Sequence, residues 1–87
     1  MKADQVKTAR LIKTARGQLD GILKMIDDDR YCVDIVNQLM ATQSILRRAS
    51  RDILAAHMEC CVREALEEGG GQEKIDELVG IFDQLIK

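Results

Sequence analysis

The feature that most constrains this chain is residues 31–67, which contain neither glycine nor proline. Two heptad positions form a seam of apolar and polar side chains there, with Cys32, Leu39, Leu46, Ile53 and Cys60 on one and Val36, Gln43, Ser50 and His57 on the other. A seam that long is typical of a bundle or coiled-coil helix. The helix would be roughly 55 Å long, which is too long for a chain of 87 residues to bury. We therefore expect partner chains.

The rest of the sequence predicts two further helices, so that the expected fold is an all-α, three-helix protomer. The helices span about 4–28, 31–67 and 72–86, and together they form a single domain over residues 1–87. The three glycines of EEGGGQE, residues 67–73, end the long helix. Asp28 or Asp29 is expected to cap its start. The chain lacks proline and tryptophan and is rich in strong helix formers.

Charge is distributed unevenly along the chain. Residues 1–24 contain six Lys or Arg and two Asp, whereas residues 64–87 contain two Lys and seven acidic residues. A basic face of this kind suggests an anionic partner. No apolar run approaches the roughly 18 residues of a membrane span, and none resembles a signal peptide, so we expect a cytoplasmic protein. Cytoplasmic thiols are normally reduced, which argues against a disulfide framework.

The stretch AAHMECCVREA, residues 55–65, predicts a metal site. His57 and Cys61 are four residues apart and share one helix face. Cys32 is the natural third ligand, but along an unbroken helix it lies roughly 37 Å away. Two copies of the helix paired antiparallel would bring Cys32 of one chain to His57 and Cys61 of the other. The spacing therefore predicts an antiparallel dimer with two equivalent sites across its interface.

The types and number of these donors restrict which metal the site could hold. Two thiolates and an imidazole favour Cu(I) or Zn(II). Zinc normally takes a fourth protein ligand, and Cys60 is turned about 100° around the helix from Cys61, so three-coordinate Cu(I) fits the count better. The simpler interpretation is that these cysteines are small buried hydrophobes, and for Cys60 we favour it.

Three segments, RGQLDGILKMI, YCVDIVNQL and HMECC, resemble the copper-sensing repressors of the CsoR type over nearly the whole chain. That branch has a Cys, a His 25 residues later and a Cys four further on, a pattern that Cys32, His57 and Cys61 reproduce. The resemblance implies one Cu(I) per protomer at the dimer interface, with Tyr31 and Glu77 hydrogen-bonded to the ligand imidazole. It also implies an antiparallel four-helix-bundle dimer, a disc-shaped tetramer, and a repressor that releases operator DNA on binding Cu(I), which derepresses copper-resistance genes.

Basic residues on the first two helices are the candidate DNA contacts. They are Arg10, Lys13, Arg16 and Lys24 on the first helix and Arg47, Arg48 and Arg51 on the second. Repeated by symmetry, they would form a broad positive face for phosphates. Composition alone favours the simpler interpretation that these arginines solvate the outside of the bundle, and the resemblance reverses that preference, for Arg48 and Arg51 in particular.

Other functions are compatible with parts of this pattern. Cys32 and Cys61 could form a disulfide or polysulfide bridge between chains in a persulfide or thiol sensor, but such chemistry does not require His57. A Cu(I) store that never binds DNA would leave the basic residues unexplained. A plain helical assembly module would have incidental cysteines. The sequence offers no catalytic constellation, so we do not expect an enzyme.

Overall fold

The computed structural model describes residues 1–69, apart from the side chain of Ala65, and residues 71–86. Three α-helices make up nearly all of these residues: α1 is Gln5–Asp27, α2 is Cys32–Glu68 and α3 is Gln72–Ile86. The expected all-α class is confirmed, and each bound lies within one residue of the bound expected from sequence. Of the glycines expected to end α2, Gly70 lies outside the described residues, whereas Gly69 has a φ of 71°.

The turn between α1 and α2 depends on an aspartate in the left-handed region. Asp29 has a φ of 53°; its N–H donates to the Ile26 carbonyl at 3.1 Å, and the N–H of Arg30 donates to the Met25 carbonyl at 2.9 Å. These two bonds close α1 in a Schellman arrangement. The expectation that Asp28 or Asp29 caps α2 was wrong, because α2 begins at Cys32 and its first helical bonds, from the N–H groups of Asp34 and Ile35, are accepted by the carbonyl of Tyr31, the residue directly before it.

The chain contacts divide into two compact units, the first of which is residues 4–49, comprising α1 and the first part of α2. Asp4 caps α1 by accepting from the N–H groups of Val6 and Lys7. The buried residues of this unit are small apart from Ile22: Thr8, Ala15, Ile22, Thr42 and Ala49. Small side chains let the two helices approach closely.

The second unit comprises residues 1–3 and 50–87, of which residues 50–69 and 71–86 include the second part of α2 and all of α3. Its core is a cluster of Leu54, Cys61 and Leu78, against which Met58 and Leu85 pack. Each helix contributes to this cluster at spacings of three, four or seven residues, which keeps the contributing side chains on one face.

The heptad seam that the sequence predicts on α2 is exposed in the single chain. Leu39, Leu46 and Ile53 retain 39%, 42% and 36% of their exposure. The α2 residues that are buried belong to neighbouring rows, such as Thr42 and Leu54. The chain therefore has more apolar rows than it buries by itself. None of the helices in the described ranges is both long and apolar enough to cross a membrane.

Candidate metal centre

His57 and Cys61 are brought together by the second part of α2. The imidazole Nε2 lies 3.3 Å from the Cys61 Sγ, one helical turn away. Cys61 is only 8% exposed and belongs to the core cluster, whereas His57 is exposed. The pair thus sits at the edge of the core, with a thiol fixed by packing and an imidazole at the surface.

The geometry of this pair suits a soft metal ion. Metal–sulfur and metal–nitrogen bonds of about 2.3 and 2.0–2.1 Å place the two donor atoms roughly 3.6–3.8 Å apart. The observed separation of 3.3 Å is that of a hydrogen-bonded pair and has to open by only a few tenths of an ångström. A neutral imidazole and a thiolate are also the ligand types that Cu(I) and Zn(II) prefer. The two residues therefore fit a metal, but they supply only two donors.

Cys32, the third predicted ligand, does not join this pair within one chain. It is exposed at the first residue of α2 and belongs to the other compact unit. The helix continues from there to Glu68 without interruption. In the part of the chain that the structure describes, no three His, Cys, Asp or Glu side chains come together as a metal site would require. A complete site needs a donor from elsewhere.

His57 also faces an open cavity of about 600 Å³. Most of the lining is apolar and comes from α2 and α3, with Ile53, Leu54, Ile81 and Leu85 among its walls. Cys61 lines a second, smaller cavity of about 190 Å³ together with Lys74 and Leu78. Each member of the pair therefore borders an apolar cavity.

The remaining cysteine of this helix is engaged elsewhere. The half-buried Cys60 thiol donates to Glu64 Oε1 at 3.6 Å, and Lys74 of α3 donates to Glu64 Oε2 at 2.8 Å. The hydrogen bond and charge of Lys74 hold the pKa of Glu64 below its ordinary value, and Glu64 in turn raises the pKa of Lys74. Sequence analysis missed Glu64 and Lys74. The four-residue spacing of Cys60 and Glu64 was a usable signal, whereas nothing local pointed to Lys74.

Tyr31 and Glu77, the expected partners of the imidazole, are surface residues of their units. Tyr31 precedes α2 and is 68% exposed, and Glu77 is exposed on α3. Within the described residues, the hydrogen bond of the His57 ring is to Cys61. The protomer alone therefore leaves both residues outside the core cluster.

The predicted DNA contacts are all exposed: Arg10, Lys13, Arg16 and Lys24 on α1 and Arg47, Arg48 and Arg51 on α2. On α1 the first three recur at steps of three, which places them along one side of the helix. The two ion pairs found among the described residues, Arg63–Glu59 and Lys74–Glu64, involve none of these side chains. The charges of the predicted DNA contacts are therefore turned to solvent.

The described residues thus combine an all-α architecture, exposed arginines and a His–Cys pair. The chain belongs to the metal-sensitive transcriptional repressors, whose family profile matches residues 4–84.

Curated relatives agree with that assignment. A copper-sensing transcriptional repressor, CsoR, of Mycobacterium ulcerans is 53% identical over 68 residues, which are 78% of this chain and 58% of that protein. This chain thus spans little more than half the length of that relative. The CsoR of Bacillus subtilis is 39% identical over 84 residues, covering 97% of this chain and 81% of that protein.

Solved structures show the same fold. The copper-sensing repressor CsoR of Geobacillus thermodenitrificans, crystallised with Cu(I), superposes with a TM-score of 0.83 at 36% identity, over 93% of this chain and 84% of that one. The nickel-responsive regulator InrS superposes with a TM-score of 0.84 at 26% identity, over 98% of this chain and 96% of that one. Because one of these two proteins senses copper and the other responds to nickel, the fold alone does not determine the metal.

Proposed function

We propose that this protein is a Cu(I)-responsive transcriptional repressor that binds operator DNA when metal-free and releases it on binding Cu(I), which derepresses copper-resistance genes. The observation that carries the proposal is the His57–Cys61 pair, whose donor atoms lie 3.3 Å apart at the edge of the core. Its donor types suit Cu(I), and the relatives named as copper sensors support that choice. Because its target is DNA, the protein acts in the cytoplasm.

The third ligand is Cys32 of the partner subunit in an antiparallel dimer, which gives one Cu(I) per protomer. Three features of the single chain support this arrangement. The long helix has no break that could bring its own Cys32 to His57, and the α2 seam residues Leu39 and Leu46 are left exposed. The apolar cavity beside His57 has room for side chains of a second chain. Pairs of dimers then form a tetramer.

Each residue of the site has a distinct role. Cys61 is held by the packing of the core cluster, so it supplies a fixed anchor. His57 stands at the surface, where its ring can turn toward a shared site. Tyr31 and Glu77 orient that ring by accepting a hydrogen bond from the ring N–H that does not hold the metal. Bound Cu(I) supplies a soft centre that links thiolates and imidazole of two chains.

Linkage explains how binding at this site alters DNA affinity. If Cu(I) binds the DNA-releasing state more tightly, DNA must weaken Cu(I) binding by the same factor. His57 is the coupling residue, because through Glu77 it connects the site on α2 to α3. The exposed basic residues, Arg10, Lys13, Arg16, Arg47, Arg48 and Arg51, supply the phosphate contacts that are lost on switching.

The proposal is tested by measuring DNA release. Duplexes bound by the metal-free protein are selected from a random-sequence library, and Cu(I) is then added anaerobically while DNA binding is followed by fluorescence anisotropy. Wild-type protein should release the DNA at one Cu(I) per chain. His57→Phe should keep Cu(I) through its thiolates yet stay on the DNA.

Two results would contradict the proposal. Absence of DNA binding even at low salt would favour a Cu(I) store. Release of DNA by a persulfide donor, but not by Cu(I), would favour a thiol sensor. Normal release by His57→Phe would refute only the coupling role of that residue.

A further inference from the structure

Two thiols, rather than one, flank the imidazole of His57. At 100° per residue, Cys60 lies about 60° to one side of His57 on the helix surface and Cys61 about 40° to the other. Residues three and four apart on a helix are both neighbours, so either thiol could reach a metal ion held by the imidazole. In the structure only Cys61 turns toward it, at 3.3 Å.

Cys60 is held away from His57 by a specific contact. Its thiol donates to Glu64 Oε1 at 3.6 Å, one turn further along α2. The other carboxylate oxygen of Glu64 accepts from Lys74 Nζ at 2.8 Å, so that each oxygen has its own partner. Lys74 is on α3, and it ties the carboxylate to a second helix.

We propose that Glu64, fixed by Lys74, keeps the Cys60 thiol out of the metal site and thereby sets the metal specificity of the site. This inference rests on the proposed function, because it concerns the number of sulfur ligands at the same centre. With Cys60 withheld, the site offers two thiolates and one imidazole, a set that suits Cu(I). With Cys60 released, it would offer the fourth protein ligand that structural zinc sites normally have.

The test compares Zn(II) and Cu(I) affinities of the reduced, full-length protein, each measured by competition with a chelator. Glu64→Ala should raise Zn(II) affinity by about ten- to a hundredfold, the scale on which residues beside ligands act, and leave Cu(I) affinity unchanged. Removing a carboxylate weakens the general attraction for cations, so a gain in Zn(II) affinity has to come from a new ligand. Glu64→Ala/Cys60→Ser should return to the wild-type Zn(II) affinity.

Co(II) provides an independent count of the sulfur ligands. Thiolate-to-cobalt charge-transfer absorption should be stronger in Glu64→Ala than in the wild type, and the increase should vanish in the double variant. Glu67→Ala is the matched control, since Glu67 is an exposed carboxylate on the same helix. It should change neither affinity nor spectrum.

The outcomes separate this inference from the proposed function. If the wild type holds Cu(I) but Glu64→Ala gains no Zn(II) affinity, or gains it equally without Cys60, the role of Glu64 is refuted and the copper site stands. If the wild type itself fails to hold Cu(I), the proposed function falls, and this inference falls with it. Helical circular dichroism checks that each variant is folded.

Discussion

Replacing Thr42 tests how α1 and α2 are joined in residues 4–49. Thr42 is 1% exposed, and its Oγ1 lies 2.7 Å from Gln18 Oε1 and 3.1 Å from the Gln38 carbonyl. One hydroxyl has one proton and cannot donate to both. Both contacts are satisfied when the Gln18 amide is turned so that its NH₂ donates to Oγ1, while Thr42 donates to Gln38. Either way, the bond to Gln18 links the two helices.

The size of the effect follows from these contacts. Thr42→Val keeps volume and β-branching but loses the hydroxyl. The Gln38 carbonyl keeps its helical bond, and half-buried Gln18 can turn to water. The free energy of unfolding should therefore fall by about 1–1.5 kcal/mol. Thr42→Ser loses a buried methyl group, worth about 1 kcal/mol. Thr42→Ala loses both, offset by its better helix propensity of about 0.5 kcal/mol, for a net loss near 1.5–2 kcal/mol.

Urea unfolding followed by helical circular dichroism measures these losses. Protein concentration must be held constant, because association shifts apparent stability. Each variant should lower the midpoint without changing the slope. A double-mutant cycle of Thr42→Val with Gln18→Leu should give a coupling of about 1 kcal/mol. Ser44→Ala is the matched control, because the Ser44 hydroxyl bonds only within α2, to the Met40 carbonyl. A neutral Thr42→Val, or zero coupling, would refute the link.

Three further perturbations address other parts of the protein. Leu78→Ala, at a side chain only 5% exposed in the core cluster, should lower the unfolding free energy by about 2–4 kcal/mol; a loss below about 1 kcal/mol in urea unfolding would show that α3 is not held there. The lowered pKa of Glu64 and the raised pKa of Lys74 mean that their pairing contributes stability at neutral pH, and that this is lost as pH falls through the pKa of Glu64 or rises through that of Lys74. Glu64→Gln should flatten the acid side of the stability profile, and an unchanged profile would count against the pair. Arg48→Ala should weaken DNA binding and reduce its logarithmic salt slope by about one without changing Cu(I) affinity, whereas Arg63→Ala should not; equal effects of the two would remove Arg48 from the interface.

Helix positions followed from sequence because their signals are local. The absence of Gly and Pro from residues 31–67, and the glycines after them, specify one long helix, and α2 indeed runs from Cys32 to Glu68. The proximity of His57 and Cys61 is equally local, since it depends only on a spacing of four residues on a helix.

Which apolar row the protomer buries could not be predicted in the same way. The heptad pattern identified Leu39 and Leu46 as part of a seam for partner chains, and both are exposed in the protomer, but it did not indicate that Thr42 and Ala49 are buried there. Periodicity identifies apolar faces but not the partner of each face. The contact from Glu64 to Lys74 was unpredictable for a related reason, because it depends on how α3 packs against α2 rather than on spacing within either helix.

The central claim is that Cys61 anchors a tight Cu(I) site, and an anaerobic Cu(I) titration of the fully reduced protein against a strong Cu(I) chelator tests it most directly. Cys61→Ser is measured alongside, with Cys60→Ser as the neighbouring control. We predict one tightly held Cu(I) per chain in the wild type and in Cys60→Ser, and its loss in Cys61→Ser. If the chelator strips Cu(I) easily from the wild type, or if Cys61→Ser holds it as well, the copper-sensing account is contradicted.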